Sequence, residues 1–122
     1  LVQTRVQEDE IMHKILSKTP TKITASAIVF TGPCVFRGLL LGTDGANDPV
    51  ITVYNGLDNT GGEIVPTCTY DASALGLNGV TGMDPGIYCD TGIYIEITCA
   101  GTVEVVPQYA PYYPESALRW KI

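Results

Sequence analysis

The chain has 122 residues, of which 45% are hydrophobic and 16% are charged, and its formal net charge is −6. This length corresponds to one domain that is large enough to bury a hydrophobic core. Seven Lys and Arg, scattered among thirteen Asp and Glu, form no basic patch, so we do not expect nucleic-acid binding. No apolar run reaches the roughly 18 residues of a membrane span, so we expect no membrane partner.

Residues 1–20 have the pattern of a short amphipathic helix. Ile11, Ile15 and Leu16 recur at positions that share one side of a helix, and Pro20 ends the pattern. A helix of this length is only marginally stable in water by itself. We therefore expect it to pack either on its own domain or on a neighbouring subunit.

Residues 21–109 have the pattern of a series of short strands. Runs rich in β-branched and aromatic residues alternate with turns that contain Gly, Pro, Asn or Asp. Pro66 lies inside one of these runs, which indicates an edge strand or a bulge. Residues 71–86 form a looser segment. The predicted strands are residues 23–30, 34–41, 50–54, 63–70, 87–89, 93–99 and 102–109.

The alternation of side chains is clearest in the last two runs. Ile93, Ile95 and Ile97 share one face of the first run, and Val103 and Val105 share one face of the second. A period of two with one apolar face is typical of antiparallel sheets. Short strands with turns every 8 to 12 residues, roughly, predict an all-β fold, namely an antiparallel, jelly-roll-like β-sandwich. No helical pattern lies between the strands, which argues against a parallel α/β fold.

The C-terminal residues form a tail rather than another strand. Two prolines keep its first part extended, and Tyr112, Tyr113 and Trp120 are costly to expose to water. The tail either covers an open end of the same sandwich or packs on a neighbouring subunit. We therefore divide the chain into an N-terminal helical arm, a β-sandwich and an extended C-terminal tail, at residues 1–20, 21–109 and 110–122.

Candidate catalytic groups are few. Asp44 with Asp48, and Asp84 with Asp90, are the nearest carboxylate pairs, but each lies within two residues of Gly, Asn or Pro, as turn residues do. His13 is the only histidine and lies in the predicted arm. The loop that begins at Asp44 offers oxygen ligands for Ca²⁺, but it lacks the EF-hand pattern, and a turn rich in Asp and Asn is the favoured interpretation. We predict no catalytic residue, no metal site and no cofactor.

The four cysteines, Cys34, Cys68, Cys89 and Cys99, lie within or beside apolar runs and include no C-x-x-C pair. Zinc sites normally need such close pairs of ligands. We expect four buried free thiols in a protein that is made in a reducing cytoplasm. If a disulfide forms, Cys89 with Cys99 is the expected pair.

The surface composition favours binding to other subunits. Seven Tyr against two Phe indicate amphipathic aromatic surface, which is enriched at protein interfaces. Two apolar end segments around one compact domain would allow neighbouring subunits to reach each other. The predicted interface residues are Ile11, Ile15, Leu16, Tyr112, Tyr113 and Trp120.

Six strand and turn segments between residues 23 and 111 resemble those of a known group of proteins. They are Ser-Ala-Ile-Val at 26–29, Gly-Pro-Cys-Val at 32–35, Leu-Gly-Thr-Asp-Gly at 41–45, Thr-Val-Tyr at 52–54, Gly-Ile-Tyr-Ile-Glu at 92–96 and Gly-Thr-Val-Glu-Val-Val at 101–106. In these segments the chain resembles small virion proteins of tailed bacteriophages and prophages. The resemblance implies a β-sandwich with a structural role in the virion and no cofactor.

We therefore predict a capsid decoration or cement protein that is made in the host cytoplasm and located in the virion. It would form a dimer or trimer and bind the major capsid protein or other virion proteins, and it would stabilise the shell by burying surface across subunit boundaries. One alternative is a tail, head–tail connector or fibre subunit. A second alternative is a carbohydrate-binding β-sandwich that uses Tyr and Asp at a loop end.

Overall fold

The structure is a computed structural model, and it describes residues 21–73, 78–80, 83 and 86–112. The predicted helical arm and the end of the predicted tail, residues 1–20 and 113–122, lie outside this part. Within it, the regular elements are eight strands: β1 (Ala27–Thr31), β2 (Cys34–Thr43), β3 (Val50–Asn55), β4 (Gly62–Thr69), β5 (Asn78–Val80), β6 (Ile87–Cys89), β7 (Gly92–Thr98) and β8 (Val103–Pro111). None of the described residues belongs to a helix with the length and hydropathy that a membrane crossing requires.

The strands form two antiparallel sheets. The first sheet has the order β1-β7-β3-β4. In the second sheet, β8 pairs along one edge of β2, while β6 and β5 pair with successive parts of the other edge. Consecutive strands mostly lie in different sheets, and only β3 with β4 and β5 with β6 stay in the same one. The predicted all-β, antiparallel class is therefore confirmed, and the described part is sandwich-like.

Glycines allow the turn before β2 and the bulge within it. Gly32 has a φ of 113° in the turn with Pro33, and Gly38 has a φ of 128° where the pairing with β8 shifts after Phe36. Glycine adopts such positive φ values at little cost because it has no Cβ atom. The backbone N–H of Tyr112 donates to the Pro33 carbonyl oxygen at 3.0 Å, which ties the end of β8 to this turn.

β4 is the edge strand that Pro66 predicted. It lies at one end of the first sheet, and its pairing with β3 is irregular around Val53. Most residues of β4 are exposed. Proline has no N–H to donate, so an edge strand is where a sheet tolerates it.

The core lies between the sheets and follows the predicted alternation. Ile93 and Ile95 of β7 are buried, as are Val103 and Val105 of β8, whereas Glu104 between the two valines is exposed. Because the period of a strand is two, the same side of each strand faces the core. The face assignments made from the sequence are confirmed for these residues.

Side chains from both sheets meet in one core. The Phe30 ring of β1 and the Tyr109 ring of β8 have centroids 5.4 Å apart, so an aromatic contact joins the two sheets. The members of the core cluster are Cys34, Phe36, Leu39, Leu41, Ile51, Val53, Cys89, Ile93, Ile95, Val103, Val105 and Tyr109.

Two elements differ from the sequence-based expectation. β8 continues to Pro111, two residues past the predicted end of the sandwich, because Ala110 and Pro111 still pair with the start of β2. In addition, the short strand β5 lies within residues 71–86, where only a loose segment was expected. Its sequence, Asn-Gly-Val, has little strand propensity, and it pairs with the long strand β2.

Replacing Phe36 with alanine tests the core. The Phe36 side chain is fully buried, so Phe36→Ala should lower the free energy of unfolding by about 3–5 kcal/mol. Ile28 on β1 is 50% exposed and provides a matched control, for which Ile28→Ala should change that free energy by less than about 1 kcal/mol. Urea unfolding followed by circular dichroism measures both values, and similar losses in the two variants would contradict this description of the core.

Candidate functional site

Asp44, the first of the predicted acidic candidates, organises a turn. Its Oδ1 atom accepts hydrogen bonds from the backbone N–H groups of Ala46 and Asn47, both at 2.9 Å. Its Oδ2 atom accepts from Asn47 Nδ2 at 2.8 Å and from the backbone N–H of Thr102 at 3.2 Å. These bonds, led by the one from Ala46, stabilise the charged carboxylate and hold the pKa of Asp44 well below its usual range.

Three further aspartates, Asp58, Asp71 and Asp90, have the same kind of environment. Each accepts a side-chain hydrogen bond from another residue, such as the one from Asn55 Nδ2, at the end of β3, to Asp90 Oδ1 at 2.9 Å. These side-chain bonds are the main reason that the pKa of each of the three carboxyl groups is lowered. Bonds of this type are typical of aspartates that stabilise turns.

The predicted carboxylate pairs are only partly described. Asp48 accepts the backbone N–H of Ala72 at 2.8 Å, so it also holds a loop in place. Asp84 lies outside the described residues. Among the residues that are described, no group of three or more His, Cys, Asp or Glu is placed to hold a metal ion. The hydrogen bonds support the turn interpretation of the loop that begins at Asp44.

The four cysteines are free thiols, but they are not equally buried. Cys34 and Cys89 are fully buried, Cys99 is half-buried and Cys68 is exposed, so the expectation of four buried thiols is wrong for Cys68. The expectation of free thiols is confirmed, and the alternative pair, Cys89 with Cys99, is not bonded. Cys89 ends β6, which pairs with β2, and it lies opposite Cys34, whereas Cys99 follows β7 of the other sheet.

The most distinctive surface feature is a pair of tyrosines on the second sheet. The rings of Tyr88 and Tyr112 have centroids 4.7 Å apart and meet edge to face at 63°. Tyr88 is 52% exposed and Tyr112 is 41% exposed, and Ile87 beside Tyr88 is also exposed. We refer to Tyr88 and Tyr112 as the aromatic patch, since Ile87 lies on the same face of β6 as Cys89 and not on that of Tyr88. Tyrosine is enriched at protein interfaces, where the ring buries apolar area and the hydroxyl group finds a polar partner.

Strand pairing builds this patch. Tyr88 of β6 and Ala110 of β8 both lie opposite Val35 of β2, one on each side. Their neighbours Cys34 and Cys89 point into the core, so Tyr88, Val35 and Ala110 lie on the outer face of the sheet. Tyr112 follows Ala110 by two residues and continues the same row.

A second tyrosine pair offers a comparison. Tyr54 of β3 and Tyr94 of β7 lie opposite each other in the first sheet, with ring centroids 6.2 Å apart. Both side chains are half-buried, unlike those of the aromatic patch. The exposed pair is therefore not a general consequence of the high tyrosine content.

Only one of the predicted interface residues is described, and it lies in the aromatic patch. This residue is Tyr112, and it is exposed as the prediction requires. The predicted residues that lie outside the described part are Ile11, Ile15, Leu16, Tyr113 and Trp120. Sequence reasoning missed Tyr88, although the alternation in Ile87–Cys89 already placed it on the face opposite Cys89.

The chain matches no protein-family model, no curated protein and no solved structure. Any functional interpretation therefore depends on the geometry described above and on the chemistry of the sequence.

Replacing Asp44 with asparagine tests the role of its carboxylate. The amide that replaces the carboxylate would keep one acceptor oxygen but would lose the second, which accepts from Asn47 and Thr102. The pKa of Asp44 in the folded protein is lowered, so its stabilising effect is present above the unfolded value of 3.8 and is lost as the pH falls through the lower folded value.

We therefore expect Asp44→Asn to be less stable than the parent protein at pH 7. The difference should shrink as the pH falls below about 4. Thermal unfolding of both proteins between pH 7 and about pH 2.5 measures this difference in stability. A difference that stays constant over that range would contradict the proposed role of the carboxylate.

Proposed function

We propose that this protein is a non-catalytic structural subunit that binds other protein subunits through the aromatic patch, as a decoration or cement protein on a phage capsid. The observation that carries the proposal is the exposed edge-to-face pair of Tyr88 and Tyr112. Tyrosine is among the residues that contribute most to binding at protein interfaces, because its ring buries apolar area while its hydroxyl group finds a polar partner.

The position of the patch supports a role for the flanking segments. Tyr112 is the last described residue, and the sequence continues with Tyr113 and, further on, Trp120. The apolar stripe predicted within residues 1–20 offers further surface. We propose a jelly-roll-like sandwich whose helical arm and extended tail enlarge the interface around the patch.

The size of the patch explains why the flanks are needed. A fully exposed aromatic side chain offers about 150–250 Å². Because Tyr88 and Tyr112 are only about half exposed, together they provide roughly 200 Å². A stable interface buries about 800 Å² on each partner. The patch therefore acts as the centre of a larger contact to which the arm and the tail contribute.

The loop carboxylates favour a structural role over carbohydrate binding. A sugar site at a loop end would need carboxylates that are directed at a ligand rather than at their own loop. Asp90 is close in sequence to Tyr88, but its Oδ1 atom already accepts from Asn55 Nδ2 and from Thr91 Oγ1. Asp44 and Asp58 are engaged in the same way within their own loops.

The proposal places the protein in the virion after synthesis in the host cytoplasm, as a dimer or trimer bound to the major capsid protein or to other virion proteins. A position on the tail or at the head–tail connector would use the same patch. The location of the protein on purified particles distinguishes the two positions.

The double variant Tyr88→Ala, Tyr112→Ala tests the proposal. Particles are purified on a density gradient from the host that encodes the chain, and quantitative mass spectrometry gives the copy number of each variant per capsid protein. The parent protein should be present in regular stoichiometry. Particles from which this protein has been removed should bind the double variant at least about 30-fold more weakly than the parent protein. The reason is that removing a central interface residue costs about 2 kcal/mol or more of binding free energy.

The matched control is Tyr54→Ala, Tyr94→Ala, which removes the other tyrosine pair and should change binding by less than about threefold. Circular dichroism of both double variants verifies that they are folded. Absence of the parent protein from the particles would contradict the proposed function. Equal losses in the two double variants would contradict the assignment of the patch.

A further inference from the structure

Cys34 and Cys89 form a pair that the proposed function does not use. Cys34 is the first residue of β2, Cys89 is the last residue of β6, and the two lie directly opposite each other in the antiparallel pairing. Both side chains are fully buried in the core between the sheets. Since opposite residues of an antiparallel pair point to the same face, the two thiols are side by side.

The backbone geometry suits a covalent bond between the two sulfur atoms. Opposite residues of an antiparallel pair have Cα atoms about 4.5–5.5 Å apart. Disulfides span Cα separations of about 4.4–6.8 Å. Bond formation therefore needs only a small approach of β6 towards β2, and β6 is a three-residue strand at the edge of the sheet.

The interaction between the two thiols shifts their pKa values in opposite directions. The interaction with the Cys34 thiol is the main reason that the pKa of Cys89 is lowered. The same interaction and burial raise the pKa of Cys34. Cys89 ends the short edge strand β6, so it is the thiol that an opening of β6 uncovers, and its thiolate acts as the nucleophile.

We propose that Cys34 and Cys89 are an oxidation site, at which exchange with a small-molecule disulfide such as oxidised glutathione forms an intramolecular disulfide across β2 and β6. The Cys89 thiolate attacks one sulfur of the small disulfide, which releases one small thiol and leaves a mixed disulfide on Cys89. Cys34 then loses its proton and attacks the Cys89 sulfur, which releases the second small thiol. The two protein thiols are oxidised, and one small disulfide is reduced to two thiols.

Burial determines when this reaction occurs. Neither thiol is exposed, so the reagent reaches Cys89 only when β6 opens from the edge of the sheet. The reaction is therefore slow, and it proceeds only where the surroundings are oxidising. Once formed, the bond closes a loop of about 55 residues and holds β6, which carries Tyr88, against β2. This inference does not depend on the proposed function.

The experiment uses the full chain and a variant, Cys68→Ser with Cys99→Ser, that keeps only the two paired thiols. Each protein is reduced, freed of reductant and incubated with oxidised glutathione. Remaining thiols are then alkylated under denaturing conditions, and digestion with trypsin and chymotrypsin identifies the linked peptides. We expect the oxidised variant to have an intact mass about 2 Da lower than its reduced form, because the disulfide removes two hydrogen atoms. We also expect a Cys34–Cys89 linked peptide from both proteins and no glutathione retained at either residue.

Thermal unfolding provides a second readout. The oxidised proteins should unfold at a temperature higher by about 5–15 °C than their reduced forms, because the bond restricts the unfolded chain. Recovery of Cys34 and Cys89 fully alkylated, with glutathione attached only to Cys68, would overturn the proposal, as would a Cys89–Cys99 link. A lower unfolding temperature of the linked form would contradict the stabilising effect of the bond.

Discussion

The second sheet depends on the pairing of β2 with its neighbours. β8 pairs with β2 over the whole of its length, and β6 and β5 divide the opposite edge between them. Phe36, Leu39 and Leu41 of β2 also point into the core between the sheets. If β2 slipped by one residue, its buried side chains would move to the outer face, so the pattern of burial and the strand pairing hold each other in place.

The pairing of β2 with β6 and β8 also creates both sites of interest. Because β6 lies opposite the start of β2, Cys89 meets Cys34 on the inner face, while Tyr88 meets Val35 on the outer face. The end of β8 pairs with the same residues from the other side and brings Tyr112 beside Tyr88. A bond between the thiols would therefore fix the strand that carries half of the aromatic patch. The proposed binding site and the proposed oxidation site lie on opposite faces of the same three-residue strand.

Local patterns in the sequence predicted every described strand except β5, but they did not predict which strands pair. Alternation identified the buried faces of β7 and β8, and Pro66 identified an edge strand. Those features depend on neighbours in the sequence. The contact between Cys34 and Cys89 depends on a pairing between segments about 55 residues apart, which no local pattern specifies. The same limit applies to the tyrosine pair. Tyr112 was predicted as an interface residue because it lies in an apolar tail. That Tyr88 lies beside it follows only from the order of the strands in the sheet.

The central claim is that the aromatic patch contacts another protein in an assembled particle, and photo-crosslinking tests it most directly. A p-benzoylphenylalanine residue is placed at position 112 in one protein and at position 94 in another, and assembled particles are irradiated and analysed by mass spectrometry. The account predicts crosslinks from position 112 to a different virion subunit and few or none from position 94. Crosslinks from position 112 that stay within its own chain, or equal crosslinking to other subunits from both positions, would contradict it.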